Sequence, residues 1–143
     1  MENREHTLVL DNEALQALVV PGHRKHRSVL AFVDAVATRN RRRPGAALVV
    51  VPTAVRVEAA VDRRSRDGVS LGRHRVADVV LDRENADQAA ALRHVGGSAV
   101  DACVAQAAAV VVAGRVTVLT ADLTDIPRLL AEAGADRAIA HRL

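Results

Sequence analysis

The sequence predicts an α/β domain: a central parallel β-sheet with helices on both faces. Three observations carry that prediction. Apolar strand-like runs alternate with helix-like runs along the whole chain. Ala47-Leu48-Val49-Val50-Val51 is apolar without a break, the pattern of a parallel strand buried on both faces. Two further runs, Thr7–Leu10 and Val116–Thr120, stop just short of an acid, Asp11 and Asp122. In open parallel sheets, side chains just past the carboxyl ends of strands line the ligand crevice.

Taken in order, the strand Thr7–Leu10 leads through Asp11 into a short helix, Asn12–Leu18, which Pro21-Gly22 stops. A basic turn, His23 to Arg27, precedes Ser28, expected as the N-cap of an amphipathic helix carrying Val29, Phe32, Val33 and Val36 to about Asn40. Arg39 and Arg41 to Arg43 follow, and Pro44-Gly45 breaks the run. After the strand Ala47–Val51, Pro52 ends the extended stretch and Thr53 caps a helix with Val57, Glu58, Ala60 and Val61. Residues 63–72 read as a polar loop turning at Asp67-Gly68. A third strand, Arg75–Leu81, is closed by Asp82 and followed by a helix with Ala86, Ala89, Ala90 and Leu92. Gly96-Gly97 interrupts, and Ser98 opens a long apolar helix to about Ala113. The strand Val116–Thr120, a helix from about Ile126 to Ala133, Gly134 and a short strand near Ala138–Ala140 complete the chain. With no internal repeat, low-complexity tract or long linker, residues 1–143 are expected to form a single domain.

Composition narrows the function classes. Half the residues are hydrophobic, enough for a real core, yet the chain has one Phe and neither Trp nor Tyr. That argues against recognition by stacking bases on aromatic platforms. Lysine and arginine number 20, Lys25 being the only lysine, and the net charge is +3 with a pI near 10.3. The excess permits a polyanionic partner without requiring one. Cys103 is the only cysteine, so no intrachain disulfide can form, and its apolar setting reads as packing. The polar start, Met1 to His6, and the shortness of the apolar stretch Ala107–Ala113 lead to the expectation of a cytoplasmic protein that does not cross a membrane.

Each acid has an ordinary explanation. Asp11 serves as a helix N-cap, Glu58 sits on a solvent face near Arg63 and Arg64, Asp101 favours a helix dipole, and Asp122 or Asp125 caps the last helix. For Asp101 the ordinary explanation is weaker, because its helix is apolar nearly all round and a lone buried carboxylate is costly. Together the acids fall at strand ends or helix starts, where a parallel sheet gathers them at one rim. Carboxylates gathered there repel one another unless a proton or cation lies between them. Hard divalent cations, Mg²⁺ or Mn²⁺, take carboxylate oxygens plus water and activate that water for phosphodiester hydrolysis.

The order Leu10-Asp11, Val51-Pro52-Thr53 with Glu58, Val100-Asp101-Ala102 in an Ala-rich helix, and Val118-Leu119-Thr120-Ala121-Asp122 resembles a PIN domain. More narrowly it resembles the VapC-type ribonuclease toxins of toxin–antitoxin pairs, over about residues 7–133. The most specific pieces are the Val-Asp-Ala helix entry and the Leu-Thr-x-Asp strand exit. The resemblance implies a single PIN-like domain in which Asp11, Glu58, Asp101 and Asp122 form the acidic quartet for Mg²⁺ or Mn²⁺. It makes Thr120 the hydroxyl residue near the metal waters and Asp125 an occasional fifth acid. Two positions depart from the pattern: Asn12-Glu13 stands where small hydroxyl residues are common, and Ser98 where many relatives carry another acid.

The implied activity is metal-dependent endoribonuclease, with RNA as substrate, an antitoxin protein as partner and a homodimer as the usual assembly. The alternative is a PIN-like module that binds RNA or a protein without cutting. The basic clusters Arg24, Lys25, Arg27 and Arg39, Arg41, Arg42, Arg43 are expected to hold an RNA backbone near the acidic rim, or else to be solvated loops. Leu15, Leu18, Val19 and Val20 are expected to contribute to a groove for the partner. His23-x-x-His26 has the spacing of half a metal site, but its basic neighbours oppose a cation, and it reads as a solvated loop.

Overall fold

The computed structural model describes residues 4–111 and 114–143. The order of elements is β1 (His6–Leu10), α1 (Asn12–Val19), α2 (His26–Arg42), β2 (Ala47–Pro52), α3 (Thr53–Glu58), α4 (Val69–Arg73), β3 (Val76–Val79), α5 (Arg83–Leu92), α6 (Ala99–Val110), β4 (Arg115–Thr120), α7 (Asp125–Glu132) and β5 (Ala138–Arg142). The strands form one five-stranded sheet in the order β3-β2-β1-β4-β5, and every pairing is parallel. The expected α/β architecture with a central parallel sheet is therefore found.

β1 lies at the centre, where Thr7, Leu8, Val9 and Leu10 are all buried. Successive strand residues point to opposite faces, so burial at every position means that both faces are covered. The helices α2 and α6 both pack on β1 and β2, and α6 also reaches β4. The apolar run in β2 is buried for the same reason. Burying one Leu or Val side chain contributes about 1.5–3 kcal/mol, and the core is made almost wholly of such residues.

Several local expectations are corrected. The second helix starts at His26, one turn into the expected basic loop, with Lys25 and not Ser28 at the N-cap. The helix after Pro52 stops at Glu58, because Ala60 takes φ +55°, a left-handed conformation that cannot continue it. Within the expected loop 63–72, residues Val69–Arg73 form α4, which buries Leu71. The strand expected over 75–81 is shorter, because Arg75 also has a positive φ and Val80 is exposed. The apolar helix ends at Val110 within the described residues; its expected end near Ala113 lies outside them, as do Met1, Glu2 and Asn3. Leu15, Leu18 and Val19 belong to the core and cannot line a groove, so only Val20 of that set is exposed. No helix among the described residues is long and apolar enough to cross a membrane.

Candidate functional site

Register fixes the site. Leu10 pairs with Leu119, and the Asp11 N–H donates to the Leu119 carbonyl at 3.2 Å, so β1 and β4 end together. Asp11 then caps α1, its Oδ1 accepting from the Ala14 N–H at 2.9 Å. Its Oδ2 accepts from the Ala121 N–H at 3.3 Å, which ties it to the exit of β4. Asp11 and Asp122 line one open cleft of about 450 Å³ with Asn12, Glu13, Gln16, His23 and Ala121. The two strand-end acids thus share a rim.

Thr120 is the joint between them. It is fully buried, and its hydroxyl accepts from the Asp122 N–H at 2.9 Å. The one hydroxyl proton has two acceptors in reach. The Asp122 carbonyl is 3.5 Å away, a weak contact, and the hydroxyl also favours the charged form of the Asp11 carboxyl. Burial pushes the Asp11 carboxyl above its ordinary value, and this outweighs the stabilising bonds from Ala14, Thr120 and Ala121; nearby Glu13 adds to the rise.

The tightest group lies beside this pair. Oxygens of Asp101, Asp122 and Asp125 all fall within 4.8 Å of one another, all three residues being partly buried. Asp122 Oδ1 accepts from the Thr124 and Asp125 N–H groups at 2.8 and 2.9 Å. Asp101 closes a capping box at the start of α6: its N–H donates to Ser98 Oγ at 3.0 Å, and the Ser98 N–H donates to Asp101 Oδ2 at 3.2 Å. Asp125 is paired with Arg128 at 2.5 Å. The polypeptide therefore anchors each carboxylate while crowding three negative charges together. A hard cation with oxygen ligands fits that donor set.

The remaining expected residues are placed as follows. Asp11 and Glu58 are outside the three-acid group. Glu58 is exposed at the end of α3, where Asn12 Nδ2 donates to its Oε1, so it reaches the rim through Asn12. Asp125, expected only as an occasional acid, is a full member of the group. Ser98, where another acid is common in the resembled family, is occupied in holding Asp101. Arg128 was not anticipated; its spacing of three residues from Asp125 on a helix is the signal that finds it.

Of the basic residues, Arg24 and Arg27 are exposed, whereas Lys25 is paired with Glu13 at 2.9 Å. Arg41 and Arg42 end α2, and Arg43, its C-cap, leads toward the start of β2, which pairs with the start of β1. They therefore sit at the amino-terminal edge of the sheet, away from the acids, and only the first basic cluster flanks the acidic rim. The His23 ring accepts from the Lys25 N–H at 3.0 Å and the His26 ring bonds the Ala17 carbonyl at 2.7 Å; both are partly buried and hold the loop. Cys103 is buried in α6, and burial raises its thiol above the ordinary value, as inert packing requires.

By sequence, no family model and no curated protein matches the chain. By structure, it is similar to a chain of VapBC2 from Rickettsia felis, solved bound to a DNA fragment from their promoter, with a TM-score of 0.61 and 12% identity over 96% of this chain and 98% of that one. At that identity the likeness is one of fold, and the fold implied by the resemblance drawn from the sequence is borne out.

Proposed function

We propose that this chain is a metal-dependent endoribonuclease, acting as the toxin of a type II toxin–antitoxin pair. The single observation that carries the reading is the convergence of Asp101, Asp122 and Asp125, from α6, the β4 exit and α7, within 4.8 Å. Asp11 joins them at the same rim, and the likeness in fold to a VapBC2 chain supports the toxin role.

Asp101, Asp122 and Asp11 would hold Mg²⁺ or Mn²⁺, with Asp125 beside them and Glu58 contributing through water or by orienting the nucleophile. A divalent ion there supplies a more acidic bound water and a positive charge for the leaving oxygen of a phosphodiester. Thr120 fixes the spacing of Asp11 and Asp122 through its buried hydroxyl. Arg24 and Arg27, exposed beside the rim, meet the phosphates of the RNA on either side of the cut. Exposed Val57, Val80 and Leu81 offer apolar surface to a protein partner, either the antitoxin or a second copy of the chain.

The test is RNA cleavage by purified protein with Mg²⁺ or Mn²⁺, comparing the wild type with Asp101→Asn. Asn keeps an acceptor for the Ser98 N–H, so the capping box and the fold persist while one charge is removed. Cleavage abolished by the substitution supports the nuclease. RNA binding without cleavage in either protein indicates a non-cutting module, and equal cleavage by both removes these acids from the reaction.

A further inference from the structure

A second charged surface lies at the opposite edge of the sheet. Two clefts open there, of about 510 and 730 Å³. The first is lined by Arg41, Arg73 and Arg75, the second by Arg39, Arg115 and Arg137, and the two adjoin at Arg4, which borders both. The six arginines other than Arg4 are all exposed, and among the described residues none has a carboxylate partner. The one acid lining either cleft, Glu5, is already paired with Arg43. Positive charge accumulates enough to be felt locally: after burial, Arg39 and Arg115 are what hold the His6 ring below its ordinary value.

The arginines come from α2, from the end of α4 and the turn after it, from the start of β4 and from the residue before β5. Across four strand spacings of about 4.8 Å the belt extends roughly 19 Å. No Phe, Tyr or Trp lines it, and the single Phe of the chain, Phe32, is packed edge-on against His141. Such a surface reads repeated phosphates and leaves bases unread, because guanidinium groups match phosphate oxygens bidentately.

We propose that this arginine belt at the amino-terminal edge binds the sugar–phosphate backbone of folded RNA. This rests on the nuclease reading in one respect only, that the RNA is also the substrate. A five-residue strand places the two edges about 17 Å apart. A base-paired stem has the bulk to engage both edges at once, and the lack of aromatic rings along the belt leaves no platform for the unstacked bases of a single strand.

The experiment is fluorescence anisotropy with a labelled RNA stem-loop in EDTA, over about 50 to 200 mM salt. It compares the wild type with Arg39→Gln/Arg41→Gln/Arg115→Gln/Arg137→Gln. Each phosphate contact contributes about 0.7–0.9 to the slope of log affinity against log salt, so the fourfold variant is expected to lose about 3 from that slope. The two half-variants, Arg39→Gln/Arg41→Gln and Arg115→Gln/Arg137→Gln, each lose about half as much, which keeps the test valid if the fourfold variant folds poorly. An unchanged slope in half-variants that melt like the wild type overturns the belt. So does binding of polyglutamate without binding of RNA, which assigns the surface to an acidic protein. RNA binding with the expected slope loss but no cleavage in metal supports the belt and removes the nuclease reading.

Discussion

Replacing Thr120 by Val tests how the rim is held together. The substitution keeps the β-branched shape of a fully buried strand residue and removes only the hydroxyl. Two bonds go with it. The Asp122 N–H loses its acceptor at 2.9 Å, about 1–3 kcal/mol for a donor left unpaired, and the Asp11 carboxyl loses a hydroxyl that favours its charged form. The extra buried methyl returns about 0.8 kcal/mol. The net expectation is a loss of about 1–2 kcal/mol, or roughly 3–7 °C in Tm for a domain of this size. Thr120→Ser keeps the hydroxyl and is expected to lose no more than about 1 kcal/mol. Thermal or urea unfolding of both variants in EDTA at neutral pH reads the difference. A Val variant as stable as the Ser variant refutes the assignment of Thr120 as the tie between the two acids.

Further predictions concern titration and backbone. Because burial raises the Asp11 carboxyl, stability from its protonated form is fully present below the ordinary carboxylate value and is lost as pH rises through the higher folded value. Carboxyl-carbon NMR on metal-free protein should show an Asp11 midpoint above the ordinary one, and Mg²⁺ should lower it; a midpoint at or below the ordinary value contradicts this. Burial opposes ionisation of Asp78, but bonds from Arg63 and Arg56 outweigh it and hold the carboxyl low. That stability is present above the ordinary carboxylate range and is lost as pH falls through the folded value. Asp78→Asn should therefore cost about 1–2 kcal/mol at neutral pH and flatten the acid limb of the stability curve. Gly97 has φ +74°, and a Cβ there would lie 3.0 Å from Leu129 and 3.5 Å from Asp101. Gly97→Ala should cost about 1–2 kcal/mol in urea unfolding, from the left-handed backbone alone, and weaken any metal binding through Asp101.

The sheet was legible because its strands announce themselves. Ala47–Val51 needs both faces covered, and Asp11 and Asp122 mark where two strands end at a common rim. Asp101 was legible through its cost in an apolar helix. What the sequence concealed depends on tertiary geometry. Glu58 is turned to Asn12 because Ala60 ends α3 early with a positive φ, which no periodicity shows. Asp125 joins the acids only because Asp122 folds the chain back through its bonds to Thr124 and Asp125. Arg39 to Arg43 are adjacent in sequence to a rim-side helix, but a helix of 17 residues carries them about 25 Å from its start, to the far edge.

Manganese titration by calorimetry, into EDTA-treated and dialysed wild type and Asp101→Asn, tests the convergence of the acids most directly. If Asp101, Asp122 and Asp125 with Asp11 form one cation site, the wild type binds Mn²⁺ and the substitution weakens binding by at least about tenfold without lowering the melting temperature in EDTA. No binding to the folded wild type, or equal affinity in the two proteins, would contradict it.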